Sequence, residues 1–359
     1  MNPTMPPLDM SSFHPESMKA WLYSSTTGGL EKNLHMDASA RATPAPQGNE
    51  VLVRVLSAAL NPVDYKLPEL GLVARMAIGT PASPGMDFCG RVVATGPLAK
   101  HFQEGQLVHG CPARPTQFGS LAEYVNIPAD MIAAVPGGVA VDHAAAVPVA
   151  GLTALQSLEG YVRPGEKVLI NGGSGGCGVF AIQIAKLTGC HVTSTCSTRN
   201  VELCYRVGAD EVLDYTVEVD LVAKLRQRGG VFDCIVDFVG LPSSLYYQCH
   251  HFLKEDGVFV QVGAPTMMTF VGRFSWPSIL GGGQRKFVIL MMKNNQRQLV
   301  QLGEWLSEGK IQAQLDGVYE FHDVVKAFEK LRSGRTRGKI IVHVSDPHDH
   351  NMQSFGIGL

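Results

Sequence analysis

The chain has 359 residues, of which 45% are hydrophobic and 17% are charged, and its formal net charge is −2. This composition is typical of a globular chain with room for two domains. The near-neutral charge excludes a general electrostatic attraction to nucleic acid or to an anionic membrane surface, so any affinity for phosphate must come from a local site.

Three features of the sequence predict the cellular compartment of the protein. Residues 1–17 contain four prolines and no secretory signal pattern, which predicts a loose tail. No apolar run reaches the ~20 residues needed to cross a bilayer, and the closest candidate is residues 287–292. Eight scattered cysteines form no C-x-x-C pair. These patterns predict reduced core thiols in a cytoplasmic protein without a membrane partner.

The first large unit, residues 18–147, has a β-rich pattern. Strand patterns lie at residues 18–23, 50–60, 87–96, 107–110 and 122–125. Turns rich in Gly and Pro separate them. Many short strands with such turns predict a twisted antiparallel sheet or a partial barrel.

A glycine-rich turn between a short apolar strand and an apolar-periodic helix is the central motif. Gly173, Gly175 and Gly178 follow the strand at residues 167–171 in a G-x-G-x-x-G pattern. Glycines at this spacing permit a sharp turn, close approach of backbone N–H groups to a pyrophosphate, and tight packing of helix on strand. The backbone predicted to hold the pyrophosphate of a dinucleotide is that of Ser174, Gly175, Gly176 and Cys177.

The segment after the next strand predicts which dinucleotide binds. The strand at residues 191–196 completes a βαβ unit, and an NAD-selective enzyme would place Asp or Glu at its end to accept from the ribose 2′-hydroxyl. This chain has Ser197, Arg199 and Asn200 there. A guanidinium with hydroxyl groups suits a 2′-phosphate, so we predict NADPH as the cofactor. An ordinary surface turn is the alternative.

Residues 148–295 alternate strand and helix patterns, which predicts a doubly wound parallel sheet with right-handed crossovers. Further strand patterns lie at residues 211–215, 232–240 and 257–263. Because the carboxyl ends of parallel strands line the ligand crevice, we expect Val239, Val262 and Ala264 beside the cofactor.

The last ordered part of the chain, residues 296–344, returns to a mixed pattern. It carries a helix at 296–307, a strand at 315–321, a second helix ending at Leu331 and a strand at 339–344. These strands are similar to those of the first unit, so we predict that the chain returns to complete that unit. Residues 345–359 are polar and predict a frayed tail.

Five motifs in order resemble the medium-chain dehydrogenase/reductase superfamily. They are Asn61–Lys66, Gly173–Gly178, Ala181–Lys186, Gly208–Asp210 and Gly334–Lys339. Over residues 18–344 the chain is similar to the zinc-free quinone oxidoreductase branch, which includes zeta-crystallin and the trans-acting enoyl reductases of fungal polyketide assembly. The resemblance implies an α/β fold in which a GroES-like, β-rich catalytic domain is interrupted by a Rossmann domain with a doubly wound parallel sheet.

The same resemblance implies an activity. Members of this branch transfer hydride from NADPH to an activated C=C bond or a quinone, with cofactor and substrate in the cleft between the domains. They often form homodimers through an edge strand of the Rossmann sheet, here near residues 286–292. Zinc-dependent relatives need Cys and His ligands, whereas Asp64 and Asp87 stand in the expected ligand segment, so no metal is predicted.

Two side chains after the Asn-Pro turn are the candidates for catalysis. Reduction of an enone requires its carbonyl to be polarised. Lys66 could hydrogen-bond the substrate oxygen or the cofactor ribose, and Tyr65 could donate to a developing enolate. The alternatives are packing for Tyr65 and a surface cation for Lys66. Asn61 is expected to shape this loop beside the cofactor.

The resemblance also implies further cofactor contacts. Tyr215 is expected beside the adenine or its phosphate. Arg337 and Lys339 are expected in a loop near the cofactor, although an exposed basic turn would have the same sequence. Thr153, at the domain junction, either faces the nicotinamide or caps a helix.

The acceptor is predicted only as a small apolar molecule. A bulky apolar substrate would be favoured if the cleft is lined by Met76, Phe118, Met267, Met268, Phe270, Phe274 and Trp276. Clusters of methionine and aromatic residues are, however, more often plain core. The leading interpretation is an NADPH-dependent enone, enoyl or quinone reductase. Carbonyl reduction, a non-redox tailoring step of secondary metabolism, and an NADPH-binding module with little turnover are the alternatives.

Overall fold

The structure, a computed structural model, describes residues 15–218, 220–275 and 283–345. The strands are β1 (Ser17–Leu22), β2 (His35–Arg41), β3 (Glu50–Leu60), β4 (Asp87–Thr95), β5 (Leu107–Gly110), β6 (Tyr124–Pro128), β7 (Ile132–Ala134), β8 (Lys167–Asn171), β9 (His191–Cys196), β10 (Glu211–Asp214), β11 (Phe232–Asp237), β12 (Leu253–Gln261), β13 (Lys286–Ile289), β14 (Leu315–Glu320) and β15 (Lys339–His343). The predicted tails lie almost wholly outside the described residues.

The helices connect these strands and cover the second sheet. They are α1 (Val63–Lys66), α2 (Leu72–Ile78), α3 (Val141–Ala145), α4 (Pro148–Leu158), α5 (Gly176–Leu187), α6 (Val201–Arg206), α7 (Leu221–Arg226), α8 (Ser244–Tyr247), α9 (Met267–Ser275), α10 (Gln296–Ser307) and α11 (Val324–Arg332). The helix pattern near residues 142–147 is broken at Pro148, which begins α4 because proline has no N–H to donate within a helix.

The β-rich unit is organised around β3. Within the described residues its sheet has seven strands in the order β14-β15-β3-β4-β5-β7, with β6 paired beside β3. β3 runs antiparallel to β4, β6 and β15, and β-bulges bend it where it pairs with β4. The strands β14 and β15, from the end of the chain, lie in this sheet.

The second sheet is entirely parallel, which confirms the predicted fold class. In the part of the chain that the structure describes, its order is β10-β9-β8-β11-β12-β13, and every neighbouring pair runs parallel. The chain leaves β8 toward β9 and β10, and later continues from the other side of β8 with β11. The topological switch point, where such sheets bind ligands, therefore lies between β8 and β11.

The β8–α5–β9 unit is held by apolar packing. Val179, Phe180 and Ile182 of α5 are fully buried against the sheet. Burying side chains of this size stabilises the fold by roughly 1.5–3 kcal/mol each. The helix ends at Leu187, and Gly189 just beyond it has a φ of 85° that suits a glycine cap, while the Cys190 N–H donates to the Ala185 carbonyl.

The structure bears on two predictions from the sequence, one about the cysteines and one about membrane-spanning segments. All eight cysteines lie within the described residues and are free thiols, seven of them buried. This agrees with the prediction of reduced core residues. No helix among the described residues combines the length and the apolar character that a membrane span requires.

Candidate active site

The glycine turn after β8 is so tight that side chains are excluded from it. A Cβ atom at Gly178 would lie 2.2 Å from the carbonyl oxygen of Gly172, and one at Gly173 would lie 1.8 Å from the Oγ of Ser194. The first N–H groups of α5 lack acceptors within the helix and lie at the positive end of its dipole. The turn therefore fits a pyrophosphate, which requires N–H donors on a closely approaching backbone.

The loop after β9 lies against this turn. The Nδ2 of Asn200 donates to the Oγ of Ser174 at 3.0 Å and to the Oγ of Ser197 at 3.3 Å. Arg199 is exposed, and its Nη2 donates to the carbonyl of Arg335 at 3.3 Å. The end of β9 thus carries a guanidinium and the Ser197 hydroxyl, with the Ser174 hydroxyl joined to this loop through Asn200, an arrangement that suits a phosphate group.

A buried carboxylate fixes the wall of the crevice after β11. The Oδ1 of Asp237 accepts from the Nδ2 of Asn171 at 2.8 Å and from the N–H groups of Val239 at 3.0 Å and Gly240 at 2.8 Å. On its other side the Arg273 guanidinium lies 3.5 Å from the Asp237 Oδ2 and donates to the Gly240 carbonyl at 2.9 Å. The loop carrying Val239 is therefore rigidly placed at the switch point.

Lys66 reaches from the β-rich unit to the parallel sheet. It is the last residue of α1, and its Nζ donates to the carbonyl of Ala264 at 3.1 Å. Ala264 and the half-buried Val262 follow β12, so they lie at the carboxyl edge of the parallel sheet. Partial burial lowers the pKa of the Lys66 ammonium. An ammonium held at this edge can donate to an oxygen that enters the cleft.

Tyr65 does not share a face with Lys66. Its ring packs against the core of the β-rich unit, with the guanidinium of Arg332 at 4.3 Å from the ring centroid. Arg332 is itself ion-paired with Glu31 and Glu69. Successive residues of a helical turn point about 100° apart, and here the Tyr65 ring lies against Arg332 while Lys66 reaches Ala264. This geometry favours the packing alternative for Tyr65, and burial raises the pKa of its phenol.

Lys339 lies at the start of the strand predicted at residues 339–344 and is buried, which excludes the alternative of an exposed basic turn for this residue. It is the first residue of β15 and only 2% exposed. Its Nζ donates to the Leu60 carbonyl at 3.2 Å, to the Asn61 Oδ1 at 2.5 Å and to the Asp87 Oδ2 at 3.1 Å. These acceptors use all three N–H donors of an ammonium, so Lys339 has none left for a phosphate. Arg337, two residues earlier, is exposed and stays a predicted cofactor contact.

Asn61 belongs to the same buried cluster and shapes the loop as expected, while its contact with the cofactor stays a prediction. Its Nδ2 donates to the Asp87 Oδ2 at 2.8 Å and to the Ala59 carbonyl at 3.3 Å, and its own N–H donates to the Asp64 Oδ2 at 2.7 Å. The amide thus holds the loop in shape. The other oxygen of Asp64 is buried without a hydrogen-bond partner among the described residues, and burial raises the pKa of this carboxyl to about 7.

The remaining predicted contacts are placed as follows. Tyr215 and Val239 are exposed after β10 and β11, at the carboxyl edge of the sheet. Cys177 lies in the first turn of α5, beside Gly176. Thr153 is buried within α4, and its Oγ1 donates to the Val149 carbonyl at 2.6 Å. Its hydroxyl therefore bonds to its own helix and is not a cap.

The residues expected to line the substrate pocket do not define the shape of that pocket. Met76 and Met268 are highly exposed, and Phe118 packs on a small cluster around Ala20. Phe270 is half-buried. The side chains of Met267 and Phe274, and all of Trp276, fall outside the described part of the chain. The shape of the acceptor therefore stays a prediction.

The candidate metal segment holds a hydrogen-bonded cluster. Asp64 and Asp87 are joined through Asn61, and Asp87 is ion-paired with Lys339. Across residues 15–218, 220–275 and 283–345, no three His, Cys, Asp or Glu side chains are grouped as metal ligands would be. The absence of zinc stays a prediction that metal analysis would test.

Sequence reasoning missed the partners that hold the site together. Asp87 and Asp237 stand in apolar strands, and a buried acid needs hydrogen-bond partners, so each could have been marked as part of a polar cluster. Their partners could not be found in this way. Lys339 is 252 residues from Asp87, and no local pattern links Arg273 to Asp237.

Comparison with known proteins finds the same architecture. Residues 47–137 match the family model of the alcohol dehydrogenase GroES-like domain, and residues 207–342 match that of zinc-binding dehydrogenases. A trans-enoyl reductase from Aspergillus terreus is 43% identical over 94% of this chain and 99% of its own. An NADPH-dependent alkenal/one oxidoreductase from Arabidopsis thaliana is 31% identical over 92% and 80%. The solved quinone oxidoreductase from Coxiella burnetii has a TM-score of 0.81 and 32% identity, covering 92% of this chain and 100% of that one.

Proposed function

The chain belongs to the medium-chain dehydrogenase/reductase superfamily, within its quinone oxidoreductase and enoyl reductase branch, and we propose that it is an NADPH-dependent reductase of an activated C=C bond. Members of this superfamily bind a nicotinamide cofactor. Two relatives carry names that refer to enoyl and alkenal/one groups, in which a C=C bond is conjugated with a carbonyl. Such a bond accepts hydride at its β-carbon when its carbonyl is polarised.

One observation carries the proposal. The pyrophosphate cradle after β8 and the contact between Lys66 and Ala264 after β12 lie at the carboxyl edge of the same parallel sheet. A dinucleotide whose pyrophosphate binds at the glycine turn after β8 would therefore extend along the carboxyl edge of the parallel sheet, where Lys66 contacts Ala264. When bound, the cofactor supplies the hydride. The backbone of Ser174–Cys177 would hold its pyrophosphate, and Val239, Val262 and Ala264 would line its crevice.

The choice of NADPH over NADH rests on the loop after β9. No acid stands there to accept from a ribose 2′-hydroxyl, whereas Ser197 and Arg199 offer a hydroxyl and a guanidinium. Asn200 ties this loop to the cradle. Arg337 is exposed. It lies near this loop, because the carbonyl of Arg335, two residues earlier, accepts a hydrogen bond from Arg199. We assign the 2′-phosphate to Arg199 and Ser197, with Arg337 and Tyr215 at the rim.

Lys66 is assigned to the carbonyl of the acceptor. Its ammonium is held by one backbone carbonyl, a neutral acceptor that a substrate oxygen can replace or share. Donation from Lys66 stabilises the negative charge that moves onto the substrate oxygen as the β-carbon gains hydride. The α-carbon then takes a proton from solvent. Tyr65 supports this loop from behind, through its contact with Arg332.

A matched acceptor panel tests the proposed function. NADPH oxidation would be followed with an enone, the saturated ketone of the same skeleton, and a quinone. We expect turnover with the enone and none with the saturated ketone. Turnover with the ketone would favour carbonyl reduction. Tight NADPH binding with no acceptor turned over would favour a binding module, and either result would overturn the proposal.

The edge of the parallel sheet supports a proposal about assembly. β13 is the terminal strand of that sheet among the described residues, paired with β12 on one side. Phe287, Val288 and Ile289 are half-buried, and Met291 beyond them is exposed. We propose that two copies pair through β13. Light scattering of the wild type and of Ile289→Pro tests this. The Leu290 N–H donates to the Gln261 carbonyl of β12, so the preceding N–H of Ile289 points to the open edge, where proline removes a ladder donor. A monomeric wild type would contradict the proposal.

A further inference from the structure

The buried side chain of Lys339 lies between the glycine turn proposed to bind the cofactor and the loop that carries Lys66. Lys339 directly follows Gly338, whose N–H donates to the Ser174 carbonyl at 3.0 Å and which pairs with Gly175. A Cβ atom at Gly176 would lie 3.2 Å from the Cδ of Lys339. The stem of this lysine therefore packs directly against the glycine turn.

The other end of the same side chain holds the acceptor loop. The Lys339 Nζ donates to the carbonyl of Leu60 and the Oδ1 of Asn61, where the segment that ends at Lys66 begins. The turn that would carry the cofactor and the loop that would contact the acceptor are thus joined through one side chain.

The cluster also includes the start of the parallel-sheet unit. Asp87 accepts from Lys339 and Asn61 with its Oδ2, and its Oδ1 accepts from the Val149 N–H in α4 at 2.8 Å. Both oxygens of Asp87 are therefore used. Since Lys339, Asp87 and Asp64 are all almost fully buried, the ammonium is needed to balance carboxylate charge away from water.

We propose that Lys339 is a positioning residue that fixes the distance between the cofactor turn and the loop carrying Lys66. It touches neither cofactor nor acceptor and acts through Gly338 on one side and Asn61 on the other. The inference rests on the proposed function. It predicts that disturbing Lys339 slows hydride transfer while leaving the cofactor contacts themselves intact, because a displacement of about 1 Å can cost on the order of 10²-fold in rate.

The main test is the double variant Lys339→Met/Asp87→Asn. Lys339→Met alone leaves a buried carboxylate without its cation and is expected to destabilise the fold. The double variant removes the Lys339 ammonium and the Asp87 carboxylate together, so neither partner of this ion pair is left alone, and the Asn61 amide can turn to accept from the side chain at position 87. The matched control is Lys186→Met/Asp210→Asn, which neutralises a partly exposed ion pair on α5 with an N–O distance of 2.8 Å.

Three quantities would be measured on folded protein: kcat with the enone, the Kd of NADPH by calorimetry, and the isotope effect with NADPH deuterated at the transferred position. We expect kcat to fall about 10- to 100-fold, Kd to change less than about 3-fold, and the isotope effect to rise because hydride transfer becomes slower. The control should match the wild type. Unchanged kcat, or a Kd that weakens as much as kcat falls, would overturn the proposal.

A second variant covers the case in which the double variant does not fold. Asn61→Ala removes the side-chain link from Lys339 to the acceptor loop, and leaves in place the Lys339–Asp87 ion pair and the hydrogen bond to the Leu60 carbonyl. We expect the same pattern of lower kcat with nearly unchanged Kd, at about 5- to 10-fold. Wild-type kinetics in this variant would overturn the inference. A wild type without enone turnover would instead refute the proposed function, so the two failures are distinguishable.

Discussion

The cofactor end and the acceptor end of the cleft are built in different ways. The cofactor end is a continuous run of backbone, residues 171–178, braced by the neighbouring loop at residues 197–200. The acceptor end is assembled from side chains, and Asn61 and Lys339 are 278 residues apart. A site made of backbone functions only while no side chain fills the space beside it. A site made of buried ionised side chains functions only while each charge has an opposite charge close to it. The two ends should therefore fail under different substitutions.

The largest effect is expected from filling the cofactor end. In Gly178→Ala the new Cβ would lie 2.2 Å from the Gly172 carbonyl oxygen, so the backbone of the turn must move. We expect the Kd of NADPH, measured by calorimetry, to rise at least about 100-fold. Gly137→Ala is the matched control, since nothing lies within 4 Å of its Cβ. Cofactor affinity within a few-fold of the wild type would contradict the assignment of this turn.

The acceptor end is tested by Lys66→Met. Loss of the donor to the substrate oxygen should lower kcat about 100-fold, and the Kd of NADPH should stay within a few-fold of its original value. Steady-state kinetics with the enone and calorimetry with NADPH measure the two quantities. Lys310→Met, at an exposed ion pair with Glu308, should leave both unchanged. A Lys66→Met enzyme with unchanged kcat would remove Lys66 from the mechanism.

Arg199→Asp sharpens the account of the cofactor end by separating the 2′-phosphate from the pyrophosphate. A charge-assisted contact of this kind contributes about 1.5–3 kcal/mol, so NADPH should bind roughly 10- to 100-fold more weakly and NADH almost as before. Arg226→Asp, at the exposed last residue of α7, is the control for charge reversal. Equal weakening of the two cofactors by Arg199→Asp would refute the phosphate assignment.

Asp64→Asn is expected to have the smallest effect on activity and tests the charge balance at the acceptor end. Asp64 faces Asp87, Lys339 and Cys111, and burial raises its pKa from 3.8 to about 7. The folded state keeps a proton that the unfolded state releases between these values. The contribution of Asp64 to stability is therefore greatest at low pH and is lost as the pH rises toward 7.

Urea unfolding of the wild type and Asp64→Asn at several pH values measures this contribution. The difference in the free energy of unfolding, wild type minus variant, should fall as the pH rises from about 4 to about 7 and level off above that. A difference that is independent of pH would show that Asp64 does not retain a proton in the folded state.

The sequence predicted local features well and distant contacts poorly. The glycine spacing, the parallel sheet and the free thiols follow from patterns within a few residues, and the structure agrees with them. The pattern Tyr65-Lys66 could not show which side chain faces the cleft, because this depends on Arg332 packing over one of them. The burial of Lys339 could not be predicted, because it depends on acceptors from β3 and β4.

The central claim is that this chain directs hydride from a bound nicotinamide to the β-carbon of a conjugated C=C bond. The most direct measurement is the fate of deuterium when the wild-type enzyme reduces an enone with NADPH labelled at the transferred position. The account predicts one deuterium on the β-carbon of the saturated product and, in heavy water, solvent deuterium on the α-carbon. Label on the carbonyl carbon, or none in the product, would contradict it.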